Sequence, residues 1–388
     1  MPRRLTPPPL GLYVHLPWCV QKCPYCDFNS HALRGDLPEH DYTGALLKDA
    51  MRMAPEVDGR VIQTIFIGGG TPSLFSADAI TRLLTGLRGE LAIAPDAEIT
   101  LEANPGTLDA GRFEGFLGAG VNRLSIGVQS FIDAHLQRLG RIHGGHEASA
   151  AIKAARAAGF ERINVDLMHG LPGQTLEEAV SDVETALALG IRHLSHYQLT
   201  LEPGTAFHHR PPVLPDDDAL ADIEAACARR IAAAGLRRYE VSAWAVPGEE
   251  CRHNLNYWRF GDYLAIGAGG HGKLSFCDGR IKRYSLVRLP RHYQALAGTP
   301  DAIAEERIVA PAERPLEYLM NALRLSEGAP MAEAVARTGL TPDAFAAGIA
   351  AGRQRGWLVG DPERLAPTAT GQRFLNDLLG LFLDAESA

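Results

Sequence analysis

The segment LYVHLPWCVQKCPYCDF, residues 12 to 28, joins a short apolar run to three closely spaced cysteines. Cys19, Cys23 and Cys26 follow the spacing C-x3-C-x2-C, and Phe28 stands where a fourth cysteine could have followed. A structural zinc site is normally closed by four protein ligands. An iron–sulfur cube held by three thiolates instead keeps one iron open to an external ligand. The segment therefore predicts a strand followed by a metal site with an open coordination position.

Two alternative explanations of the cysteines are a zinc site and a disulfide scaffold. A zinc site completed by His15 or His31 is the second interpretation of the three cysteines. The remaining cysteines, Cys227, Cys251 and Cys277, are scattered along the chain, whereas a disulfide scaffold is dense in cysteine and belongs to much smaller secreted proteins. A reducing, cytoplasmic environment is therefore expected, and it keeps thiolates free for metal.

The composition is that of a globular protein with a full core, because the 388 residues are 46% hydrophobic and 22% charged. The net charge of -8 argues against a general nucleic-acid binder, which carries a basic face. The first residues, MPRRLTPPPL, lack the apolar segment of a signal peptide, and no apolar run approaches the length of a membrane span. Small-molecule chemistry is the expected class of function.

Short apolar runs rich in β-branched residues alternate with helix-period segments over the first half of the chain. Strand followed by helix, repeated six times, requires a parallel sheet. In about 200 residues this predicts an α/β fold, a partial (β/α)6 barrel of the TIM type, with a doubly wound sheet as the alternative architecture. The predicted strands cover residues 12–16, 63–67, 98–102, 122–128, 162–167 and 193–199.

Polar and glycine-rich features follow these predicted strands directly. GGGTPS, Gly68 to Ser73, comes after the second strand, Glu102 ends the third, and Asp166 lies in the fifth. Alone, GGGTPS is typical of a tight turn, although its exposed backbone groups could also bind the amino end of a ligand. Because the carboxyl ends of parallel barrel strands meet at one mouth, we expect these features to form a single site.

The later part of the chain predicts two additions to the barrel of residues 1–235. Residues 236–310 contain further strands that extend or flank the barrel, and residues 311–388 resemble a small winged-helix unit. Residues 331–388 hold five Arg or Lys against seven Asp or Glu, so a packing or lid role is expected there rather than DNA binding.

The motifs together resemble a known family. The C-x3-C-x2-C spacing is similar to that of the radical S-adenosylmethionine (SAM) superfamily, in which a reduced cluster donates an electron to SAM and cleaves it to a 5'-deoxyadenosyl radical. YVHLPWCVQKCPYCDF, FIGGGTPS, LEANPG, SIGVQSF, LGRIH and DLMHGLPGQT resemble one branch, the oxygen-independent coproporphyrinogen III oxidase family. This likeness covers nearly the whole chain.

The resemblance implies a cofactor site. By it, Cys19, Cys23 and Cys26 hold a [4Fe-4S] cluster. The family positions that surround SAM are matched here by Tyr13, Tyr25, Gly70, Thr71, Glu102, Gln129, Arg141 and Asp166. Arg141 suits the carboxylate of SAM because a guanidinium is a planar fork of donors. Taken singly, Glu102, Gln129, Arg141 and Asp166 are also typical of helix caps, loops and ion pairs.

The sequence differs from the oxidases of this family in two ways that bear on whether it has oxidase activity. The oxidases of this family extend their motif to C-x3-C-x2-C-x-C, and Phe28 takes the place of that last cysteine, which is not a cluster ligand there. They also carry a longer segment before the first barrel strand, where only about ten residues stand here. The cluster is therefore expected to be present, while the oxidase chemistry is in doubt and enzymatic activity stays open.

HNLNYW, residues 253 to 258, resembles a signature of the heme-chaperone branch of this family that is implicated in heme binding. A neutral imidazole is a good axial ligand for heme iron, and Tyr and Trp offer flat apolar surfaces to a porphyrin. Without the resemblance, the segment would be a loop histidine beside two core aromatics. With it, His253 is the candidate heme ligand, and Cys251 is a competing one.

The resemblance therefore predicts a heme chaperone that takes up heme and passes it to an apo-protein. The alternative is an oxygen-independent coproporphyrinogen III oxidase that decarboxylates two propionates to give protoporphyrinogen IX. The family suggests recipients among respiratory enzymes. Peripheral membrane contact and pairing with a second copy of the chain stay open.

Overall fold

The computed structural model describes residues 4–107 and 110–383. One sheet in these ranges contains twelve strands, in the order β12-β11-β10-β9-β1-β2-β3-β4-β5-β6-β8-β7. They are β1 Leu10–Leu16, β2 Ile62–Gly69, β3 Ile93–Ala103, β4 Arg123–Gln129, β5 Arg162–His169, β6 His193–Gln198, β7 Arg237–Arg238, β8 Ala243–Ala245, β9 Asp262–Ile266, β10 His271–Ser275, β11 Ile281–Leu286 and β12 Ile303–Ile308.

The helices between and after these strands carry their start signals in the sequence. Ser76 and Thr175 cap α2 and α6, each accepting a hydrogen bond from a backbone N–H of the first turn. No helix in the described ranges is long and apolar enough to cross a membrane. The helices are α1 Glu39–Val57, α2 Ala77–Glu90, α3 Ala110–Ala119, α4 Asp133–Arg138, α5 Gly145–Ala157, α6 Leu176–Ala188, α7 Ala206–His209, α8 Asp217–Ala233, α9 Arg252–Trp258, α10 Pro290–Leu296, α11 Arg314–Ala322, α12 Met331–Thr338, α13 Asp343–Gln354, α14 Ala369–Arg373 and α15 Leu375–Gly380.

The six predicted barrel strands are confirmed as β1 to β6. Each pairs in parallel with the next in chain order. A doubly wound sheet would reverse its strand order at a switch point, whereas this order is sequential. The architecture is therefore the predicted partial (β/α)6 barrel.

The strands after residue 235 extend both edges of the barrel sheet. β9 pairs in parallel with β1, and β10, β11 and β12 follow it in antiparallel order. At the other edge, β8 pairs antiparallel with β6. The side chains of β9 and β10 join the same apolar core as the barrel, through Leu264, Ile266 and Leu274. The division of the chain at residues 235 and 310 stays a prediction.

A second apolar core lies under the C-terminal helices. Tyr318, Phe345 and Leu378 are buried there together with Phe260, which follows α9. A two-residue ladder, Ala329–Pro330 against Arg364–Leu365, accompanies α11 to α15. Helices with a short ribbon are the winged-helix-like arrangement expected from the sequence.

Candidate functional site

The carboxyl ends of β1 to β6 surround a cavity of about 440 Å³. This volume is in the range of small-molecule sites. Every residue predicted for the cluster and for SAM lines the cavity except Tyr13. These lining residues are Cys19, Cys23, Tyr25, Cys26, Gly70, Thr71, Glu102, Gln129, Arg141 and Asp166.

The three cysteines are free thiols on one loop at the edge of the cavity. The loop turns through a hydrogen bond from the Cys26 N–H to the Cys23 carbonyl, at 3.2 Å. Burial raises the pKa of the Cys19 and Cys26 thiols above the ordinary value. A buried thiol that must ionise is stabilised by metal, because the metal ligand is the thiolate. The chemistry of this donor set fits an iron–sulfur cluster.

Zinc completed by a histidine fits less well. Both ring nitrogens of His15 are engaged, Nδ1 with the Tyr13 hydroxyl at 3.0 Å and Nε2 with the Asn29 carbonyl at 2.9 Å. His31 is not among the residues that line the cavity. In the described part of the chain, no three or more His, Cys, Asp or Glu side chains are grouped as they would be around a single ion.

The glycine-rich turn after β2 is tied to its surroundings by its N–H groups. Gly69 donates to Glu102 Oε2 at 3.0 Å, Gly70 to the Leu16 carbonyl at 2.8 Å, and Thr71 to the Trp18 carbonyl at 2.7 Å. The bonds of Gly70 and Thr71 connect the turn to the segment that leads into the cysteine loop, and the bond of Gly69 connects it to β3. The backbone N–H groups at these three positions are thus occupied, and an ammonium group would be bound by acceptor oxygens.

Glu102 and Asp166 give the cavity two carboxyl groups with raised pKa values. Burial raises the pKa of Glu102 to about 7, repulsion by Asp166 adds to this, and the hydrogen bond from Gly69 opposes it. Burial likewise raises the pKa of Asp166, against hydrogen bonds from Ser195, Asn164 and Ser125. Carboxylates placed in this way can accept hydrogen bonds from an ammonium group or from ribose hydroxyls.

Gln129 and Arg141 approach the cavity from β4 and from the segment after α4. The register of β4 against β5 shifts between Gly127 and Gln129, and Gln129 has a φ of 69°. A non-glycine residue with positive φ is uncommon and strained. The Gln129 side chain accepts a hydrogen bond from the Tyr197 hydroxyl at 2.8 Å, and Arg141 donates to the Gly127 carbonyl at 2.7 Å.

Tyr13 and His253 are absent from the cavity lining. Both pack against Phe66 inside the barrel, with ring centroids 6.3 Å and 5.2 Å from it. His253 Nδ1 bonds the Thr64 hydroxyl at 2.9 Å, near the amino end of β2. The HNLNYW segment forms α9 rather than a loop. The predicted heme ligand therefore lies at the opposite end of the barrel from the cysteines.

The sequence placed His196 to Gln198, at the end of the sixth strand, at this mouth, and Tyr197 lines the cavity. Sequence reasoning missed other cavity residues, including Ser125 and Ser195. A signal for Ser195 was present. Side chains two residues apart in a strand point to the same face, so the interior position of Tyr197 on β6 implies Ser195 as well. The role of Ser125 could not be foreseen, because it depends on contacts with β5.

Comparison with known proteins agrees with this geometry. The sequence pattern of the radical SAM superfamily matches residues 13–186, and that of the HemN C-terminal domain matches residues 309–374. Heme chaperone HemW of Escherichia coli (strain K12) is 53% identical over 376 residues, covering 97% of this chain and 98% of that protein. Heme chaperone HemW of Haemophilus influenzae is 50% identical, covering 98% of this chain and 99% of that protein.

Among solved structures, coproporphyrinogen III oxidase (HemN) from Escherichia coli, a radical SAM enzyme, superposes with a TM-score of 0.82. It covers 98% of this chain and 91% of the oxidase chain at 22% sequence identity, which shows a shared fold. The coverage is similar in both comparisons, but the sequence identity of 50–53% to the chaperones is more than twice the 22% identity to the oxidase. The chain belongs to the HemW heme chaperone family, within the radical SAM superfamily.

Proposed function

We propose that this chain is a heme chaperone, which binds heme and delivers it to apo-proteins. The observation that carries the proposal is the 53% identity to a HemW heme chaperone across 97% of the chain. The cavity at the barrel mouth supports it, because its residues fit the cofactors of the family. The relatives do not favour the alternative, a coproporphyrinogen III oxidase.

In this proposal, Cys19, Cys23 and Cys26 hold the [4Fe-4S] cluster, and the remaining cavity residues hold SAM. When bound, the cluster and SAM supply one-electron chemistry at the barrel mouth. The side chains of the protein bind and orient these cofactors. Arg141 offers donors to a carboxylate, and Glu102 and Asp166 offer acceptors to amino and hydroxyl groups.

His253 is the better of the two candidate heme ligands. Burial lowers its pKa to about 4, so the imidazole is neutral at physiological pH and can bind iron. In the packed position of α9, its Nδ1 bonds the Thr64 hydroxyl at 2.9 Å. Burial and the nearby Glu98 raise the pKa of the Cys251 thiol to about 12, and this thiol donates to Glu98 at 3.4 Å. A protonated thiol is a poor ligand for heme iron.

Heme binding through His253 would disturb the packing of α9. The imidazole is half-buried and packs on Phe66 with ring centroids 5.2 Å apart, so a porphyrin would have to displace part of this contact. Tyr257 and Trp258, later in the same helix, form an edge-to-face pair with centroids 5.0 Å apart, and Tyr257 is exposed. We propose that α9 leaves the barrel end to present its histidine and its aromatic rings to heme.

The setting of this activity is also proposed. We place the protein in the cytoplasm and its recipients among respiratory enzymes. Peripheral membrane contact would serve delivery to membrane-bound recipients, and a second copy of the chain is a further candidate partner.

Optical titration of anaerobically reconstituted protein with hemin tests the proposal. The natural protein is expected to bind one hemin, His253→Ala to lose or strongly weaken this binding, and Cys251→Ala to retain it. His271→Ala, at an exposed histidine on β10, is the matched control and should behave as the natural protein does. Hemin binding unaffected by His253→Ala would contradict the ligand assignment.

The oxidase alternative has its own assay. Reduced, cluster-loaded protein is incubated with SAM and coproporphyrinogen III, and protoporphyrinogen IX is quantified. The chaperone proposal expects no appreciable product. Sustained turnover together with failure to bind hemin would overturn it.

A further inference from the structure

A series of buried hydrogen bonds leads from the cofactor cavity into the barrel interior. Asn164 donates from its side-chain amide to Asp166 Oδ1 at 2.8 Å and to Ser125 Oγ at 2.8 Å. The carbonyl oxygen of the same amide lies 2.6 Å from His193 Nδ1. His193 Nε2 lies 2.9 Å from the Tyr239 hydroxyl. We call Asp166, Asn164, His193 and Tyr239 the relay.

The relay reaches the start of α9. The Tyr239 hydroxyl, at the end of the relay, lies close to the backbone of Cys251, the residue before this helix. The Cys251 thiol and the His253 backbone N–H both donate to Glu98 Oε1, at 3.4 Å and 3.1 Å. The first turn of α9 is thus held by buried polar groups that lie beside the end of the relay.

Asp166, at the cavity end of the relay, determines which groups of the relay donate and which accept hydrogen bonds. An ionised Asp166 can only accept, so Asn164 must turn its NH2 toward Asp166 and its carbonyl toward His193. His193 then carries its proton on Nδ1, and its Nε2 accepts from the Tyr239 hydroxyl. Burial holds the pKa of His193 well below its ordinary value, which keeps the imidazole neutral and this pattern intact.

Water cannot easily replace a broken link of the relay. Asn164 is 6% exposed and His193 is 2% exposed. An unpaired polar group in such an interior carries the full cost of its desolvation, so a change at one end favours rearrangement at the next link. A barrel interior serving stability alone could be apolar here, because apolar residues of similar volume are often equally stabilising.

We propose that the relay couples the cavity to α9, so that SAM in the cavity changes the affinity for heme. By thermodynamic linkage, heme must then change the affinity for SAM by the same factor. His193, Asn164 and Tyr239 act as positioning residues in this coupling. The inference rests on the proposed function, because it requires a protein that binds both SAM and heme.

Paired binding measurements on anaerobically reconstituted protein test the coupling. Hemin affinity is measured with and without saturating SAM, and SAM affinity with and without hemin. The two ratios are expected to agree and to be roughly 5-fold or larger. In Tyr239→Phe, which removes one hydroxyl from the relay, each ratio should fall to nearly one. The SAM affinity measured without heme should stay within about twofold of the natural value, because Tyr239 does not line the cavity.

Tyr284→Phe is the matched control, because its buried hydroxyl bonds the backbone of Ala265 on β9, outside the relay. This variant should keep the natural coupling. Ratios of one in the natural protein, or undiminished ratios in Tyr239→Phe, overturn the relay. A natural protein that binds no hemin overturns the proposed function itself, and the two failures are thereby distinguished.

A second measurement needs no variant, should Tyr239→Phe fail to fold. Amide hydrogen exchange of residues 252–258 is followed in the natural reconstituted protein with and without SAM, in the absence of heme. SAM should change the exchange rate of these amides, while Asp343–Gln354 in the C-terminal region should be unaffected. Identical exchange of residues 252–258 in both conditions would rule the coupling out.

Discussion

Arg141 lies against Cys23, with its Nη1 at 3.6 Å from the Cys23 sulfur. Its Nη2 donates to the Gly127 carbonyl at 2.7 Å, and its buried Nε has no hydrogen-bond partner among the described residues. One guanidinium thus joins the cysteine loop to β4, and its Nε–H stays available to donate to a ligand. This is the placement expected of a group that binds the carboxylate of a molecule beside the cluster.

Replacing Arg141 by Lys should weaken SAM binding while sparing the cluster. Lysine keeps the charge but not the planar fork, and a hydrogen bond to a charged group is worth enough to cost roughly 10- to 100-fold in affinity. Calorimetric titration with SAM measures the loss, and iron and sulfide analysis confirms the cluster. Arg138→Lys is the control, because Arg138 bonds the Pro172 carbonyl outside the cavity lining. Equal SAM affinity in both variants would contradict the role of Arg141.

Cys19→Ala should abolish the cluster and leave a folded, colourless protein. Two thiolates do not hold a cube that requires at least three. Iron and sulfide content and visible absorbance after anaerobic reconstitution measure the result. Cys277→Ala removes an exposed cysteine outside the site and should reconstitute fully. A full complement of iron and sulfide in Cys19→Ala would show that the ligands are assigned wrongly.

Gly70→Ala should disrupt the turn that supports the cysteine loop. A Cβ at this position would lie 2.5 Å from the Trp18 carbonyl oxygen and 2.8 Å from the Pro17 carbonyl carbon. These are backbone atoms, so the loop itself has to shift, at a cost of about 1–3 kcal/mol. Chemical denaturation measures the stability, and cluster content reports on the loop. Gly89→Ala, at a helix position with no atom within 4 Å of the added carbon, should not destabilise the protein.

The sequence was sufficient for the barrel and for most of its mouth. β-branched runs alternating with helical segments indicate parallel strands, and strand ends in a barrel meet, which is why Glu102 and Asp166 could be placed together. The position of His253 could not be predicted, because its contact with Thr64 spans 189 residues of sequence. The pairing of β9 with β1 is equally long-range.

The relay could be predicted from the sequence only in part. The alternation of side chains in a strand indicates that Asn164 shares a face with Asp166, and His193 with Ser195. The hydrogen bond between Asn164 and His193 could not be derived in this way, because it depends on the register of β5 against β6. Local periodicity thus gives the facing residues, and only tertiary structure gives their partners.

The raised pKa of Glu102 predicts a pH-dependent stability for the cofactor-free protein. The folded-state pKa of about 7 lies above the ordinary value of 4.5, so the folded state binds this proton more tightly than the unfolded state. The resulting stabilisation is fully present below pH 4.5 and is lost as the pH rises to about 7. Glu102→Gln carries a neutral amide and should not suffer this loss.

The difference in unfolding free energy between Glu102→Gln and the natural protein should therefore shift in favour of the variant by about 2–3 kcal/mol between pH 5 and pH 8. Urea denaturation of both cofactor-free proteins across this range measures the shift. Glu327→Gln changes a carboxylate that is 91% exposed, so its difference from the natural protein should stay nearly constant. If Glu102→Gln gave an equally flat difference, the carboxyl would already be ionised at low pH, and its burial beside Asp166 would not govern its charge.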